Sequence, residues 1–521
     1  MSRPLEPVTV SVSVALELST GVFTDVTDQC RAAEPIRWSY GIEGSSPVDR
    51  VARTGSCTFT LSNHQDGARA AGRWSPDHRD AITGWDIGIV CRIGLHLRGQ
   101  STYKKYYIDA IQPSAGIYGD RVVVVSGVDL LDHYARYRLR GLTVQTNKRS
   151  DELFTTIYTD VAQQPDRVSI AEGQDTYAYA LDNLREESAT AMSAFQMLAQ
   201  SELGYIAVKR DAISGETLLF EDRHSRSKAT ASNAFTFRGD TDGLTLERNR
   251  AGIYNVVSAT AHLRRVDTSD VVLWAKADNA LEIQAAETIR PFGPYRDPDQ
   301  EGSRIGGTSM VTAAATTDFL LNTAADGSGS NVTGSCSVTA TYSATGVRWE
   351  ITNNTGATAY VTKLQCRGRG LYDYAEAHME ATDTASASTY GERAMGFDMP
   401  YQDEPRVAQG AADYLLGMFK DPVTTVQSIS YVANRNEILA QAAMDLDISD
   451  RIGLVEDQTG IDVDVGIATR GHFINACQFE RAGSGVVRVG YTLVPSEAVS
   501  FWILEDAAAS VLGTTTVCGY L

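Results

Sequence analysis

The chain has 521 residues, of which 43% are hydrophobic and 21% are charged, and its formal net charge is −19. This balance excludes a disordered or fibrous protein. The excess of acids argues against binding to nucleic acid, because affinity for a phosphate backbone depends on Lys and Arg. One hydrophobic core does not suffice at this length, so we expect about three to five domains.

The beginning of the chain, Met1 to Pro7, carries two prolines and no apolar run, which is not typical of a secretory signal. No apolar run reaches the roughly 18 residues that a membrane-spanning helix needs. We therefore expect a soluble protein without a membrane-spanning segment, synthesised in the cytoplasm.

Alternation of apolar and polar residues dominates the first part of the chain. Such segments, bounded by Gly, Pro, Asn or Asp, are typical of half-buried strands. They cover residues 14–17, 23–27, 55–63, 84–93 and 121–131. Four consecutive valines in the last segment favour a strand that is covered on both faces. Residues 1–146 are predicted to form a first β domain.

Helical spacing follows this β region. A helix is predicted over 150–158, with Ser150 as its N-cap. A second helix over 188–201 has an apolar stripe and is expected to end at Gly204. The strands of a predicted hairpin follow at residues 205–208 and 216–220. Residues 147–232 are therefore predicted to form a small α/β domain.

Strands resume at residue 235, and the stretch 291–299, rich in Pro and Gly, is predicted to interrupt regular structure. A helix is predicted from Pro405 to Phe419, because Asp421-Pro422 would end it. The remaining predicted domains are a second β domain over 233–300 and 372–432, a β-rich insertion over 301–371, and a C-terminal β domain over 433–521. The fold class is thus mainly β with an α/β insertion, a multidomain α+β protein.

No combination of residues points to catalysis. Gly368 and Gly370 lack the third glycine of a dinucleotide-binding loop. The acids between 445 and 464 lack the spacing of a calcium loop, and the alternation over 462–465 favours a strand. The seven cysteines contain no Cys-x-x-Cys pair, and the eight histidines have no metal-binding spacing. We predict no catalytic, cofactor-binding or metal-binding residues and no cofactor; Cys57 and Cys91 are predicted to be buried.

Tyrosine is abundant, with 23 copies. Tyr103, Tyr106 and Tyr107 flank Lys104 and Lys105, and interleaved aromatic and basic residues can stack on nucleobases. In a chain this acidic, burial in a core or in a subunit interface is the favoured interpretation.

Several strand and turn motifs occur in a characteristic order along most of the chain. They are Phe23–Thr27, Gly55–Asn63, Ser75-Pro76, Gly84–Gly88, Val128–Leu131, Ile351–Gly356, Thr362–Gly368, Leu446–Ile452, Phe501–Asp506 and Leu512-Gly513. In this order the chain resembles the tail hub or minor tail proteins at the distal tail tip of long-tailed, siphovirus-like bacteriophages. None of these motifs is enzymatic.

The resemblance implies a structural virion protein that closes or extends the tail tube at its distal tip. Such a hub adapts tube symmetry to the tip and takes part in host attachment and genome delivery. The resemblance also implies a homotrimer with two tube-like β-barrels per subunit, over 1–146 and over 233–300 with 372–432. Implied partners are the tail tube, tape measure, distal tail and tip fibre proteins, with DNA only as passing cargo. The net charge predicts an acidic lumen that repels DNA phosphates.

Alternative functions remain open at this point. A distal tail ring protein would differ from a hub in subunit count. A receptor-binding or glycan-binding tail adhesin would use residues 303–370 and expose clustered aromatic residues there, where the sequence has Trp349, Tyr342 and Tyr360. An enzyme that cuts glycan would need two acids that meet in space, which a chain with 65 acids does not exclude.

Overall fold

The computed structural model describes most of residues 8–517. Outside the description are residues 1–7, 45, 66–68, 115–120, 140–141, 182–188, 229–232, 278, 297–303, 423–424, 457–458, 460, 463–470, 497–499, 502–515 and 518–521. The described part is mostly β and contains several sheets and more than one domain. The motifs over 501–506 and 512–513 and the strand predicted over 462–465 lie wholly or partly outside it.

The N-terminal region forms most of the predicted strands and ends in a helix. Its elements are β1 (Ser11–Ser19), β2 (Val22–Asp25), β3 (Ile36–Gly41), β4 (Arg53–Ser62), β5 (Val90–Leu97), β6 (Gln100–Pro113), β7 (Val122–Val128) and α1 (Leu130–Arg136). The strand predicted over 84–93 begins only at Val90, because Gly84 and Gly88 adopt positive φ in turns before it. The strand predicted over 121–131 stops at Val128. The reason is that the Asp129 carboxylate accepts a hydrogen bond from the Leu131 amide and caps α1.

An α/β module, residues 145–228, follows. Its elements are β8 (Gln145–Arg149), α2 (Ser150–Asp160), β9 (Arg167–Ile170), β10 (Thr176–Ala180), α3 (Ala191–Glu202), β11 (Tyr205–Lys209), β12 (Thr217–Glu221) and α4 (Ser225–Lys228). Both predicted helices and the hairpin are present. Helix α3 begins at Ala191 and not at the predicted Ser188, because the Thr190 hydroxyl accepts from the Ser193 amide and caps the helix, and it ends at Glu202, before Gly204. Ser150 is the first residue of α2 and not its N-cap, because the Glu152 side chain accepts from the Arg149 amide one position earlier.

The rest of the chain contains many short strands. They are β13 (Phe235–Arg238), β14 (Gly243–Glu247), β15 (Val256–Ala261), β16 (Arg264–Val266), β17 (Val271–Ala275), β18 (Leu281–Ile283), β19 (Thr288–Ile289), β20 (Phe292–Pro294), β21 (Arg304–Thr308), β22 (Phe319–Asn322), β23 (Cys336–Tyr342), β24 (Gly346–Asn353), β25 (Ala359–Asp373), β26 (Ala377–Thr382), β27 (Ala394–Met399), β28 (Thr425–Val432), β29 (Arg451–Glu456), β30 (Ile461–Asp462), β31 (His472–Arg481), β32 (Val487–Pro495), β33 (Ser500–Phe501) and β34 (Thr516–Val517). The helices among them are α5 (Thr384–Tyr390), α6 (Pro405–Phe419) and α7 (Glu437–Asp445).

These elements confirm and correct the local predictions. Helix α6 has the predicted bounds. Strand β20 lies inside the stretch 291–299 that was predicted to be irregular, because its residues pair with β24. The strand predicted over 446–452 begins only at Arg451, since the chain leaves α7 just before it.

The largest sheet unites both ends of the chain. Its main order is β14-β28-β32-β31-β3-β4-β7-β6-β5-β1-β2, and β29, which pairs with β31, adds β13 and β30. We call it the central sheet. Because β3 pairs with β31, residues 1–146 and 433–521 share this sheet although they were predicted as separate domains. The division into domains stays a prediction.

The main apolar core lies between one face of the central sheet and the α/β module. Side chains such as Trp38, Phe59 and Tyr491 from the sheet pack together with Phe154 and Phe195 of the module. The module is also tied to the sheet through its backbone, because β-bridges join Val51 to Ile206 and Tyr103 to Asp211.

Two further units complete the fold. The second unit is the sheet β26-β15-β27 with α6 packed on one face, around Val257, Ala411 and Leu415. The sandwich, residues 264–373, has a sheet built on β25 and another built on β24, with a shared core around Trp349. It takes in strands between 264 and 300 that were assigned to the second β domain, because the long β25 pairs with them.

Candidate functional site

One face of the central sheet is open and polar. Successive side chains along a strand point to opposite faces of a sheet. On β4 the inward residues Cys57 and Phe59 are buried, whereas the alternating Ser56 and Thr58 are exposed. The same alternation on β3 buries Trp38 and leaves its polar neighbours at the surface.

The strand register aligns these outward residues into two rows across the sheet. The first row contains Val128, Ser56, Ser39, Gln478, Gly490, Ser430 and Gly243. The second row contains Ser126, Thr58, Arg37, Glu480, Arg488 and Val432. We call these two rows the open face. Its members are mostly short hydroxyl side chains and glycines.

The charges on the open face are nearly balanced. The Arg37 guanidinium donates to the Glu480 carboxylate at 3.0 Å, and Arg488 stands opposite Glu480 in the register. The Ser39 and Ser56 hydroxyls are 3.3 Å apart. Such a surface lacks the clustered cations that hold a phosphate backbone and the aromatic anchors that dominate protein interfaces. Its short polar side chains suit contact with water.

Buried polar and charged residues form a network of contacts behind this face. Asp447 accepts from the Tyr40 hydroxyl at 3.0 Å and from the Arg210 amide at 3.2 Å. The Arg210 guanidinium donates to carbonyl groups at the end of α7 and lies 5.1 Å from the ring of Phe479. Burial raises the pKa of Tyr40, and the Asp447 charge raises it further. The open face is therefore backed by a dense polar network.

Of the lysines and tyrosines that the sequence singled out, Lys104, Lys105, Tyr106 and Tyr107 are buried, whereas Tyr103 is partly exposed. Lys104 is 1% exposed and its Nζ donates to the Val208 carbonyl at 2.9 Å. Lys105 Nζ is 3.0 Å from Asp166 and 3.3 Å from Glu216. These contacts join the central sheet to the module. Burial in a core is confirmed for these lysines and for Tyr106 and Tyr107, and they are not available to nucleobases.

A cavity of about 520 Å³ lies between the central sheet and the second unit. Tyr205 on its wall is covered by Arg50, 4.7 Å from the ring centroid, and by Arg226, 3.5 Å from it. The wall also carries the acids Glu43, Asp49, Glu247 and Asp421. These four acids outnumber the two arginines, so the wall of the cavity is acidic overall and does not favour an anion.

The remaining predictions concern individual side chains. Cys57 and Cys91 are buried, as predicted. Trp349, one of the aromatic residues that an adhesin would expose, is fully buried in the sandwich core.

The described residues contain no group of three or more His, Cys, Asp or Glu side chains arranged to hold a metal ion. None of the helices in the described part has the length and apolarity that crossing a membrane requires.

Sequence reasoning did not find the open face. The alternation of Ser and Thr with apolar residues on β4 was visible, and it predicted a polar side for that strand. The neighbours that extend this side come from distant parts of the chain, such as Gln478 and Ser430. No pattern within a short segment of the sequence indicates that these strands pair.

Comparisons with known proteins give distant structural likenesses only. No family model matches the chain, and no curated protein matches it. Solved structures that align with it include a prophage tail protein of Shewanella oneidensis (9% identity, 93% of this chain and 96% of that chain, TM-score 0.46). They also include a tail protein of Neisseria meningitidis (11%, 94% and 97%, TM-score 0.47) and a type VI secretion component of Escherichia coli (7%, 96% and 76%, TM-score 0.34). These values are too low to carry an argument about the function of this chain.

Proposed function

We propose that this chain is a structural protein of a phage tail, a hub or baseplate component at the distal tip, without catalytic activity of its own. The observation that carries the proposal is the open face, a broad sheet surface of short polar side chains with nearly balanced charge. In the assembled tail this surface is the inner wall of the tube, and DNA passes it as cargo during genome delivery.

The chemistry of the open face fits a wall better than a binding site. Each phosphate that a Lys or Arg neutralises releases counterions and strengthens the hold on DNA. The open face offers Arg37, which is already paired with Glu480, and Arg488. A passing polyanion therefore finds few places to bind. The acidic lumen expected from the net charge stays a prediction, and it requires acids outside the open face.

Copies of the chain can join into a ring through the two edge strands of the central sheet. Strands β2 and β14 end the main ladder, each paired on one side only in the described structure. Free strand edges pair readily with another chain, and head-to-tail contacts that close by rotation give rings. We propose that copies of the chain join through these edges into the homotrimer implied by the resemblance. The same proposal includes a role in host attachment and, as partners, the tube, tape measure, distal tail and tip fibre proteins.

Cysteine labelling tests whether the open face is a tube wall. Ser56→Cys and Gln478→Cys place thiols on the open face, and Thr159→Cys places one on an exposed position of α2 as the matched control. In the free chain, a small maleimide and a bulky polyethylene glycol maleimide should label all three positions above the unsubstituted background. In assembled tails, the bulky reagent should label only Thr159→Cys. Equal labelling of the three positions in tails would contradict the proposal.

Edge substitution tests assembly. Val22 in β2 and Ile438 in α7 are both 57% exposed. Val22→Lys should prevent ring formation, because a charge on an edge strand opposes pairing, whereas Ile438→Lys should assemble normally. Imaging gives the symmetry: threefold supports a hub, sixfold supports a distal ring, and a chain that stays monomeric in tails contradicts both. Removing residues 1–140 is a poorer test, since it also removes β3, the partner of β31.

The absence of catalysis is tested directly. Purified protein should release no sugar or peptide from peptidoglycan or capsular glycan. Release that disappears on replacing a single Asp or Glu would show that the chain is an enzyme.

A further inference from the structure

The end of helix α3 lies at the joint between the α/β module and the second unit. Leu203, which ends α3 with a left-handed backbone (φ 55°), packs in the apolar core of the second unit. The Arg50 guanidinium donates to the Leu203 carbonyl at 2.6 Å. The Ser201 hydroxyl accepts from the Tyr401 amide of the second unit at 2.9 Å. Leu203 and Ser201 thus join the end of α3 to the second unit, and Arg50, which lies just before β4, holds the Leu203 carbonyl from the side of the central sheet.

Glu202 stands between these two contact residues, and its side chain is completely buried. Its carboxylate accepts from the Ser150 hydroxyl at 2.8 Å, from the Gln174 amide at 3.2 Å and from the Tyr177 hydroxyl at 3.4 Å. All of these donors are neutral. The carboxylate therefore has no direct ion pair among its hydrogen-bond donors in the described structure.

Arg223, the cation whose charge opposes the rise in the pKa of Glu202, is already paired with another acid. Arg223 makes two hydrogen bonds to Asp175, at 2.6 and 2.9 Å. Asp175 also accepts from Gln402 of the second unit at 2.9 Å. The titratable and charged side chains around the α3 end are Arg50, Asp151, Asp175, Tyr177, Asp222, Arg223, Arg264, Tyr401, Asp403 and Glu404. Acids outnumber cations in this set.

Burying a carboxyl group whose hydrogen-bond donors are all neutral costs free energy when the group is charged, and much less when it is protonated. Burial raises the pKa of Glu202 to about 7 against the opposing charge of Arg223. Burial likewise raises the pKa of Asp403, at the same joint, to about 6. Folded Glu202 binds its proton at pH values where a solvated Glu has lost it. The contact of the α3 end with the second unit is thus favoured below about pH 7 and weakened as the pH rises through that range.

We propose that the end of α3 is a pH-sensitive joint, which holds the α/β module against the second unit while Glu202 is protonated and loosens when Glu202 becomes a carboxylate. Asp403 acts in the same direction. The inference goes beyond the proposed tail function and does not depend on it, because every contact involved lies within one chain.

Distance measurement between spin labels tests the joint. The labels are placed on exposed positions of the two parts, Thr159→Cys in the module and Ser388→Cys in α5 beside the second unit. In the full-length labelled protein, the distance distribution should be narrow at pH 5.5 and broader or longer at pH 8.5. With Glu202→Gln, which is neutral at position 202 at every pH, the change between pH 5.5 and 8.5 should be much smaller, and the part that remains comes from Asp403.

Two further variants distinguish the effect of Glu202 ionisation at the joint from other effects of pH and from loss of apolar packing. Glu172→Gln removes an acid of the same module whose side chain is 73% exposed, and it should keep the full pH response. Leu203→Ala should broaden the distribution at both pH values, because it removes the apolar contact and leaves the carboxyl group. Identical distributions at pH 5.5 and 8.5 in the parent overturn the proposal. A full pH response in Glu202→Gln also overturns it.

Discussion

Asp211 organises the turn between β11 and β12. Its carboxylate accepts from the amides of Ile213, Ser214 and Gly215 at 2.6–3.0 Å, and from the Ser214 hydroxyl at 2.6 Å. Burial opposes ionisation here, but the hydrogen bonds from Ser214, Gly215 and Ile213 outweigh it and hold the pKa of Asp211 well below its usual range. The backbone of Asp211 also pairs with Tyr103 of the central sheet. One carboxylate thus fixes a turn and its attachment to the main sheet.

Replacing this carboxylate should destabilise the protein in a pH-dependent way. Asp211→Asn should lower the free energy of unfolding at pH 7 by about 1–3 kcal/mol, because partly buried amides lose a charged acceptor. An acid with a lowered pKa contributes stability above its unfolded pKa and loses it as the pH falls. The difference from the parent should therefore shrink below the ordinary Asp value of 3.8. Denaturant titration across pH measures this, with exposed Asp77→Asn as the control; a pH-independent difference would contradict it.

At the scale of elements, the pairing of β3 with β31 decides the architecture. Trp38 stacks on Phe479 across this pair, with ring centroids 5.0 Å apart and planes 5° from parallel. Gly41 at the end of β3 has φ +125°, and a Cβ there would lie 2.4 Å from the Asn475 carbonyl oxygen and 2.5 Å from the Ala476 Cα. The close approach of two backbones therefore requires glycine at position 41.

Substitution of this glycine should weaken the pairing of the two chain ends. Gly41→Ala should lower the free energy of unfolding by about 2–4 kcal/mol, because backbone atoms would have to move and the conformation is strained for alanine. Gly490→Ala on the open face is the matched control, since its nearest atom would be 3.7 Å away, an ordinary contact. Thermal and denaturant unfolding of both variants provide the measurement. Equal losses in the two variants would show that backbone approach at Gly41 is unimportant.

At the scale of the whole molecule, the two ends of the sandwich lie side by side. Its first and last strands pair with each other at Arg264 and Asp373. Arg264 donates to the Tyr179 carbonyl at 3.1 Å and lies 4.7 Å from the Tyr179 ring, so the module covers this connection. The sandwich core around Trp349 is separate from the main core. An element with its own core and adjacent termini has the features of an inserted domain.

We expect residues 262–375 to fold when expressed alone. The isolated fragment should unfold in one cooperative transition, and Trp349→Ala should destabilise it by about 3–5 kcal/mol, since this substitution leaves a cavity in the core. Phe292→Ala, at a side chain that is 55% exposed, is the control and should cost much less. Calorimetry of the fragment gives the result. A fragment without a cooperative transition would show that the sandwich depends on the rest of the chain.

The sequence by itself determined the local structure and the overall β character. Helix α6 was predictable because helical periodicity and the Asp421-Pro422 terminator lie within one short segment. The β11–β12 hairpin was predictable for the same reason, since two alternating strands flank a turn. The polar side of β4 was also visible in its alternation.

Only the tertiary structure decided how these pieces combine. Alternation of apolar and polar residues tells which side of a strand is apolar, but it does not tell which strand lies beside it. The β3–β31 pair and the open face could therefore not be predicted from the sequence. The same holds for charge. Glu202 looks like a solvated residue in sequence, and distant contacts bury it. For Lys104 the sequence left a core and a subunit interface open, and its contact with the Val208 carbonyl places it in the core. Local periodicity arises from neighbours along the chain, whereas strand order and the burial of charge arise from contacts between residues far apart in it.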